Sequence, residues 1–189
     1  FSFAKVPYGT WIIREIESPK GYVLSEEEIA VTIGKVDEVV EIELVNYFIK
    51  GNIALTKVDE DYPDNKLSGA VFEVYSDTNG DGKLDKDDTL RGEMKELDGG
   101  VYQMSELRYG KYLVKETKAP TGFVLDENMY SVSVEENGKT YTVENKAGVG
   151  FINAAQKGSL KIVKTSSDGK VEGFSFRVTG VDYDQTFKT

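Results

Sequence analysis

The sequence contains no cysteine and no histidine, and these two absences exclude several classes of protein. Without cysteine the chain has no disulfide framework, zinc ribbon or iron–sulfur cluster. Without histidine it has no serine–histidine–aspartate triad, no cysteine–histidine pair and no imidazole metal site. The phosphate-binding loop that combines glycines with a Lys and a Ser or Thr is also missing. We therefore expect no enzyme activity on an external substrate.

Basic residues are in deficit, since 33 acidic and 23 basic side chains give a formal net charge of −10. This balance argues against binding to nucleic acid or to anionic membrane surfaces, which attract clustered Lys and Arg. No apolar run approaches the roughly 20 residues of a membrane span, and no signal peptide or C-terminal anchor is recognisable. A hydrophobic content of 39% nevertheless indicates a folded globular chain.

Two pairs of segments reveal an internal repeat. Residues 6–24 align without a gap with residues 107–125. Residues 44–46 and 50–57 align, at a second fixed offset, with residues 151–153 and 157–164. Together the two alignments define a repeat unit of about 107 residues.

The repeat predicts the domain organisation. Residues 1–49 are expected to be the C-terminal half of one domain, residues 50–156 a complete domain, and residues 157–189 the N-terminal part of a further domain. A unit of this length can bury a core, whereas the two end segments are too short to do so alone. We therefore expect the chain to be a window on a longer protein.

Short segments rich in β-branched and aromatic residues, separated by turn residues, predict an all-β fold. Examples are residues 71–75, 112–116 and 130–134. No segment shows a 3.6-residue apolar period over three turns, so helices are not expected. Many short strands in a unit of this length indicate a small β-sandwich. The join at 154–158 is short and not rich in Gly or Ser, which predicts tandem domains stacked end to end as a semi-rigid rod.

Three polar residues continue apolar rows on predicted strands. Because alternate side chains of a strand share a face, Lys57, Glu116 and Asn153 each extend a row of apolar side chains. The pattern recurs at the equivalent positions of the partial domains, at Glu15, Asn46 and Lys164.

Three interpretations of these residues are open. Each strand could leave the core at that point, so that the polar group meets solvent, because Lys and Glu are rarely buried unless paired. The Lys and the Glu could instead form a buried ion pair with the Asn as a hydrogen-bond partner, although burying two charges costs several kcal/mol per ion. In the third interpretation the three groups react with one another.

The reaction follows from ionisation in apolar surroundings, where the pKa of a Lys falls and that of a Glu rises. A neutral amine is a nucleophile, and a protonated Glu can polarise the Asn carbonyl and pass a proton to the departing ammonia. Contact between amine and amide adds a proximity advantage of about 7–11 kcal/mol at best. The product is a Lys–Asn isopeptide bond between the first and last strands.

Two segments resemble motifs of the collagen-adhesin B-type (Cna B-type) domains of Gram-positive surface proteins and pilins. Residues 112–123, YLVKETKAPTGF, are similar to the "E-box" of that family, and residues 67–75, LSGAVFEVY, resemble the strand that follows its Lys strand. The resemblance covers residues 50–156, and the E-box recurs at 11–22. Phe123 stands where Tyr is more usual, and Ile16 and Ser18 replace the usual Thr and Ala of the first E-box.

This resemblance implies an immunoglobulin-like or prealbumin-like sandwich on a Gram-positive cell surface, anchored to the cell wall. It also implies an isopeptide bond between Lys57 and Asn153, with Glu116 as the catalytic residue. By the same match, Glu15 and Asn46 are the catalytic Glu and the bond-forming Asn of the first partial domain. Lys164 is the bond-forming Lys of the last one.

Residues 77–88, DTNGDGKLDKDD, have the spacing of a twelve-residue calcium loop. The candidate ligands are Asp77, Asn79, Asp81, the carbonyl of Lys83, Asp85 and Asp88, with the turn residue Gly82 between them. The last ligand is Asp rather than Glu, and the segment reads as strand before the loop and as irregular after it. The alternative is a solvated acidic hairpin loop, since Asp, Asn and Gly favour turns.

The expected function is mechanical: a stalk or pilus-shaft module whose partners are neighbouring domains of the same chain and other pilin subunits. The alternative is a ligand-binding adhesin module that recognises a host protein or glycan. A third hypothesis is completion of the partial domains between neighbouring chains, linking Lys164 to Asn46.

Overall fold

The computed structural model describes residues 3, 5–180 and 183–189, and the chain forms two compact units, residues 1–156 and 157–189. The prediction of an all-β fold is confirmed. The only helical element among the described residues is a 3₁₀ turn at Asp98–Gly100. The strands are β1 Gly9–Arg14, β2 Glu28–Ile33, β3 Lys50–Asp59, β4 Val71–Ser76, β5 Thr89–Glu93, β6 Lys95–Glu96, β7 Val101–Arg108, β8 Gly110–Lys118, β9 Met129–Val134, β10 Thr140–Thr142, β11 Phe151–Asn153, β12 Ser175–Gly180 and β13 Tyr183–Lys188.

Residues 50–156 contain two sheets. One has the strand order β10-β3-β7-β6, with β11 also paired to β3, and the other has the order β5-β4-β8-β9. The short strands β10 and β11 run parallel to β3, while the other pairs are antiparallel. The first and last strands of the domain are therefore direct neighbours.

The core lies between the inner faces of these two sheets. Strand β3 buries alternate residues, among them Ile53 and Leu55, as expected for a strand with one face on a core. Phe72 packs edge-on against Tyr102 and Phe151, with ring centroids 5.1 and 5.0 Å apart. Such edge-to-face pairs stabilise by about 0.5–1.5 kcal/mol beyond the area they bury. The aromatic cluster thus ties β4, β7 and β11 together.

Residues 9–49, within the predicted C-terminal half of a domain, form a β1–β2 hairpin and a segment with no strand of its own, which adjoins the start of β3. The Ile49 amide donates to Gly21 O (2.8 Å), and Ile49 O accepts from the Tyr109 amide (2.9 Å). The guanidinium of Arg108 lies 3.9 Å from the centre of the Phe48 ring. Main-chain hydrogen bonds and a cation–π contact therefore join this segment to β3 and to the β7–β8 connection.

Two predicted strands of the partial domains are not formed. Residues 42–46 and 160–164, equivalent to parts of β11 and β3, have no strand structure. In the complete domain β11 is held by β3, and β3 is held by β7, β10 and β11. No described residue pairs with residues 42–46 or 160–164 as a strand, so their backbone lacks the ladder that defines one. In residues 157–189 the strands are the hairpin β12–β13.

Candidate functional site

Three polar side chains lie together in the core formed by residues 50–156, those of Lys57, Glu116 and Asn153. Lys57 and Glu116 have no solvent exposure, and Asn153 retains 3%. Charged side chains are almost never fully buried unless they are paired. The interpretation in which these groups leave the core for solvent is therefore wrong.

The strands bring the three residues together from opposite sides of the sandwich. In the parallel pair of β3 and β11, Lys57 lies beside Phe151 and Asp59 beside Asn153. Glu116 comes from β8 in the opposite sheet, where it pairs with Phe72 of β4. Its side chain reaches across the core to the last strand.

Hydrogen bonds join Asn153 and Glu116 directly. The Nδ2 of Asn153 donates to Oε1 and Oε2 of Glu116, at 3.1 and 2.9 Å. The backbone amide of Asp126 donates to the same Oε2 (2.8 Å). The Oδ1 of Asn153 is buried and accepts no hydrogen bond from the described residues. This unsatisfied carbonyl oxygen is the one on which charge would develop if the amide carbon were attacked.

Lys57 is held beside this pair. Its Nζ donates to the main-chain oxygen of Phe151 (3.0 Å), two residues before Asn153. It also lies 5.4 Å from the centre of the Phe151 ring. The main-chain oxygen and the ring of Phe151 therefore both contact the Lys57 Nζ, which is shielded from solvent.

Burial moves the ionisation of both charged groups towards their neutral forms. It lowers the pKa of Lys57 from 10.5 to about 8, against the attraction of Glu116, Asp126 and Asp59. Burial likewise raises the pKa of Glu116, although the Asp126 amide, Asn153 and Lys57 act in the opposite direction. A neutral amine and a protonated acid are accordingly easier to reach here than in water.

The first partial domain repeats half of this arrangement. The Nδ2 of Asn46 donates to Oε1 and Oε2 of Glu15, at 2.8 and 2.7 Å, and the Ser25 amide donates to the same Oε2 (2.8 Å). Both side chains are half-buried. In the second unit, the Nζ of Lys164 lies 4.3 Å from the centre of the Phe174 ring and donates to the main-chain oxygen of Thr165.

The loop 77–88 connects β4 to β5. A strand follows it directly, so the expectation of an irregular segment there was wrong: residues 89–93 gain a ladder by pairing with β4. Asp77 is only 6% exposed, and its oxygens accept from the amides of Gly80 (2.7 Å) and Gly82 (3.1 Å).

The other predicted ligands of the loop also bind within it. Asn79 donates to Asp85, Asp81 accepts from the amide of Lys83, and Asp88 accepts from the amides of Thr78 and Asp85. Among the described residues, no three acidic side chains converge in the manner of a metal site. The loop therefore has the predicted residues but not a converged set of ligands.

Sequence reasoning missed a hydrogen-bonded cluster next to the buried trio, formed by Asp126, Tyr130 and Asn145. Asp126 accepts from both the Tyr130 hydroxyl (2.6 Å) and the Asn145 amide (2.8 Å). Asp126 and Tyr130 are four residues apart and Asn145 lies 19 residues after Asp126, and the three follow no motif. Only their polarity near predicted strand ends could have drawn attention to them.

The fold and the site define a small two-sheet β domain with a buried Lys, Glu and Asn at its first, middle and last strands. The family model of the SpaA prealbumin-like fold domain matches residues 1–47 and 51–147. The chain belongs to this family of prealbumin-like domains. A comparison with curated proteins gave no match.

The family match confirms the predicted resemblance to Cna B-type domains of Gram-positive surface proteins and pilins. Several solved structures are similar to the chain. The TIE protein of Bacillus anthracis matches 79% of the chain at 30% identity, with a TM-score of 0.64. BcpA, the major pilin subunit of Bacillus cereus, matches 57% at 28% identity (TM-score 0.42), and GBS52, the minor pilin of Streptococcus agalactiae, matches 86% at 22% identity (TM-score 0.42).

The chain spans only part of each of these proteins: 26% of the TIE protein, 31% of BcpA and 66% of GBS52. Among the described residues, no helix has the length and apolar character needed to cross a membrane.

The lowered pKa of Lys57 can be tested in a variant that cannot cross-link. In Asn153→Ala the Lys57 amine stays buried, so we expect its pKa to remain near 8. NMR of the chain with Lys labelled at the side-chain nitrogen follows this titration. A Lys57→Met variant assigns the resonance. A Lys57 pKa near 10.5 would show that the amine is exposed to solvent.

Proposed function

We propose that the chain is a structural stalk or pilus-shaft module of a Gram-positive cell-surface protein, stabilised by an isopeptide bond between Lys57 and Asn153. The observation that carries this proposal is the burial of Lys57, Glu116 and Asn153 together in one apolar core. The family supports a structural pilin-type module. Display at the cell surface and assembly with other pilin subunits belong to the proposal.

The reaction begins when the Lys57 amine loses its proton and attacks the Asn153 amide carbon. Rotating that amide by half a turn places Oδ1 against Glu116, where the protonated acid polarises the carbonyl. In the orientation described above, Nδ2 faces the same acid, which can then protonate the leaving nitrogen. One carboxyl group can therefore serve both steps.

Atoms and charges balance without a cofactor. A bond forms between the Lys57 Nζ and the Asn153 Cγ, and the bond from Cγ to Nδ2 breaks. The proton released by the amine passes through Glu116 to the departing nitrogen, which leaves as ammonia. The acid is regenerated, but the substrate is the domain itself, so the reaction occurs once.

The bond would set the mechanical properties of the domain. It joins neighbouring first and last strands, so a pulling force would bypass the intervening chain of roughly 95 residues, whose extension would otherwise add about 300 Å. By the chain-entropy argument used for disulfides, closing a loop of this size stabilises the fold by about 4–5 kcal/mol. The bond would give this chain, which has no cysteine, a covalent cross-link comparable to a disulfide.

The same proposal includes a semi-rigid arrangement of consecutive domains. Residues 48 and 49 contact the next domain through the Arg108 cation–π contact and the Tyr109 amide. A flexible linker would make no such contacts. The domain boundaries 1–49, 50–156 and 157–189 remain part of the proposal.

The intact mass of the full chain tests the bond. The wild type is expected to be lighter than its calculated mass by one ammonia. Both Glu116→Ala and the isosteric Glu116→Gln should restore the full mass, because neither can shuttle the proton.

Glu15→Ala is the matched control, since Glu15 occupies the same position in the partial domain. It should retain the loss of one ammonia. A wild-type chain of full calculated mass would refute the bond, and loss of ammonia that persists in Glu116→Gln would refute the role of Glu116.

We propose in addition that the loop 77–88 binds calcium and thereby stiffens the β4–β5 connection. Its donors are carboxylate and amide oxygens, the ligands that calcium prefers. Gly80 and Gly82 have φ of 75° and 76°, which lets the loop wrap around the buried Asp77 carboxylate. Binding requires Asp81, Asp85 and Asp88 to turn from loop amides towards the ion.

Calcium should raise the melting temperature of the full chain, since a ligand of the folded state stabilises it by mass action. Asp81→Ala should abolish the increase, whereas Asp64→Ala, an exposed Asp in another turn, should keep it. Differential scanning calorimetry with calcium or chelator measures both. An unchanged melting temperature in the wild type would reject this site.

A further inference from the structure

We infer that Asp126, Tyr130 and Asn145 form a positioning network that holds the last strand beside Glu116, in the arrangement from which the Lys57–Asn153 bond forms. This inference rests on the proposed function. None of the three residues takes part in the bond chemistry itself.

Asp126 is the centre of the network. Its Oδ2 accepts from the Tyr130 hydroxyl (2.6 Å) and from Asn145 Nδ2 (2.8 Å). Its Oδ1 accepts from the amide nitrogen (3.0 Å) and the side chain (2.7 Å) of Asn128. Four donors converge on one half-buried carboxylate, and hydrogen bonds to a charged acceptor are stronger than those between neutral groups.

Asn145 attaches this carboxylate to the last strand. Its Oδ1 accepts from the Ile152 amide (2.6 Å), and its Nδ2 donates to Ile152 O (2.9 Å). The side chain thus binds both main-chain groups of the residue before Asn153, in the manner of a neighbouring strand. This pairing fixes β11, which has only three residues of its own.

Tyr130 supports the position of Lys57 through Phe151, and the Asp126 backbone contacts Glu116. The Tyr130 ring packs edge-on against Phe151, with centroids 5.1 Å apart, and Phe151 O is the acceptor for Lys57. The Asp126 amide donates to Glu116 Oε2. The network therefore contacts the acid directly and supports the amine and the amide through residues 151 and 152.

Residues 9–49 contain the equivalent Glu and Asn but not the Asp126 network. They therefore distinguish the effect of the network from that of the E-box Glu. There the Glu15–Asn46 hydrogen bonds and the amide contact from residue 25 are all present. The internal alignment, however, places Ser25 at the position of Asp126 and Ile29 at that of Tyr130. The Glu–Asn contact thus needs no network, and the added function of Asp126 and Tyr130 lies in the placement of β11.

The charge of Asp126 gives the network a second, measurable effect. Hydrogen bonds from Tyr130, Asn145 and Asn128 lower the pKa of Asp126 against the effect of burial, so it stays ionised. The negative charge raises the pKa of Lys57 and that of Glu116. Among the described residues, Asp59 on β3 and the Tyr130 hydroxyl on β9 also interact electrostatically with this region. Removing the Asp126 charge should therefore move the pH profile of bond formation to lower pH.

The test follows bond formation in the full chain, made by cell-free synthesis with a pulse of isotope-labelled Lys. The fraction of labelled chains that have lost ammonia is measured by intact mass against time and pH. Tyr130→Phe should slow the reaction about tenfold or more, since small displacements of reacting groups have large effects on rate. Asp126→Asn should slow it and also shift its pH profile downwards.

Tyr141→Phe is the matched control. Its hydroxyl also makes hydrogen bonds, but with the main-chain amides of Glu135 and Glu136 and not with Asp126. This variant should link at the wild-type rate. Melting temperatures of all variants in the Asn153→Ala background measure any general loss of stability.

The outcomes separate the network from the bond. If the wild type links and Tyr130→Phe links as fast, the network has no positioning function. If Tyr130→Phe and Tyr141→Phe slow the reaction equally, or if Asp126→Asn leaves the pH profile in place, the effect is one of stability and the inference is wrong. A wild type that never loses ammonia refutes the proposed function itself, and this inference with it.

Discussion

The burial of an amine beside a carboxyl group in an apolar sandwich is the constraint on which the rest of this structure depends. Transferring each ion from water costs several kcal/mol, and pairing recovers that cost only with good geometry. Here Lys57 binds a main-chain oxygen, while Glu116 binds an amide side chain and a backbone amide. Apolar surroundings that disfavour the charged forms of Lys57 and Glu116 favour the neutral forms that the proposed reaction needs.

The sandwich supplies what that chemistry requires of its surroundings. Because β11 runs parallel to β3 and next to it, the two ends of the domain lie side by side. Strand β8 brings the acid from the opposite sheet, and the aromatic cluster around Phe72 and Phe151 excludes water from the space between. In the proposed function, a bond at this place would connect the two ends of the domain through which a pulling force would pass.

The sequence predicted the features that follow from the alternation of apolar and polar residues along strands and from the internal repeat. Lys57, Glu116 and Asn153 interrupt apolar rows, and their equivalents recur in the partial domains, so both the fold class and the buried trio were accessible. The Asp126 network was not, because its residues follow no motif and its link to β11 through Asn145 is seen only in the folded structure. Residues 42–46 and 160–164 have strand-like sequences, but pairing rather than propensity decides whether a strand forms. In the loop 77–88, the spacing of oxygen ligands does not determine whether the carboxylates converge or cap loop amides.

The covalent connection between the first and last strands is tested most directly by tandem mass spectrometry of a protease digest of the full chain. The account predicts a branched species in which the peptide containing Lys57 is joined to the peptide containing Asn153, with fragment ions that locate the link on those two side chains. Recovery of both peptides only as separate, unmodified species would contradict it.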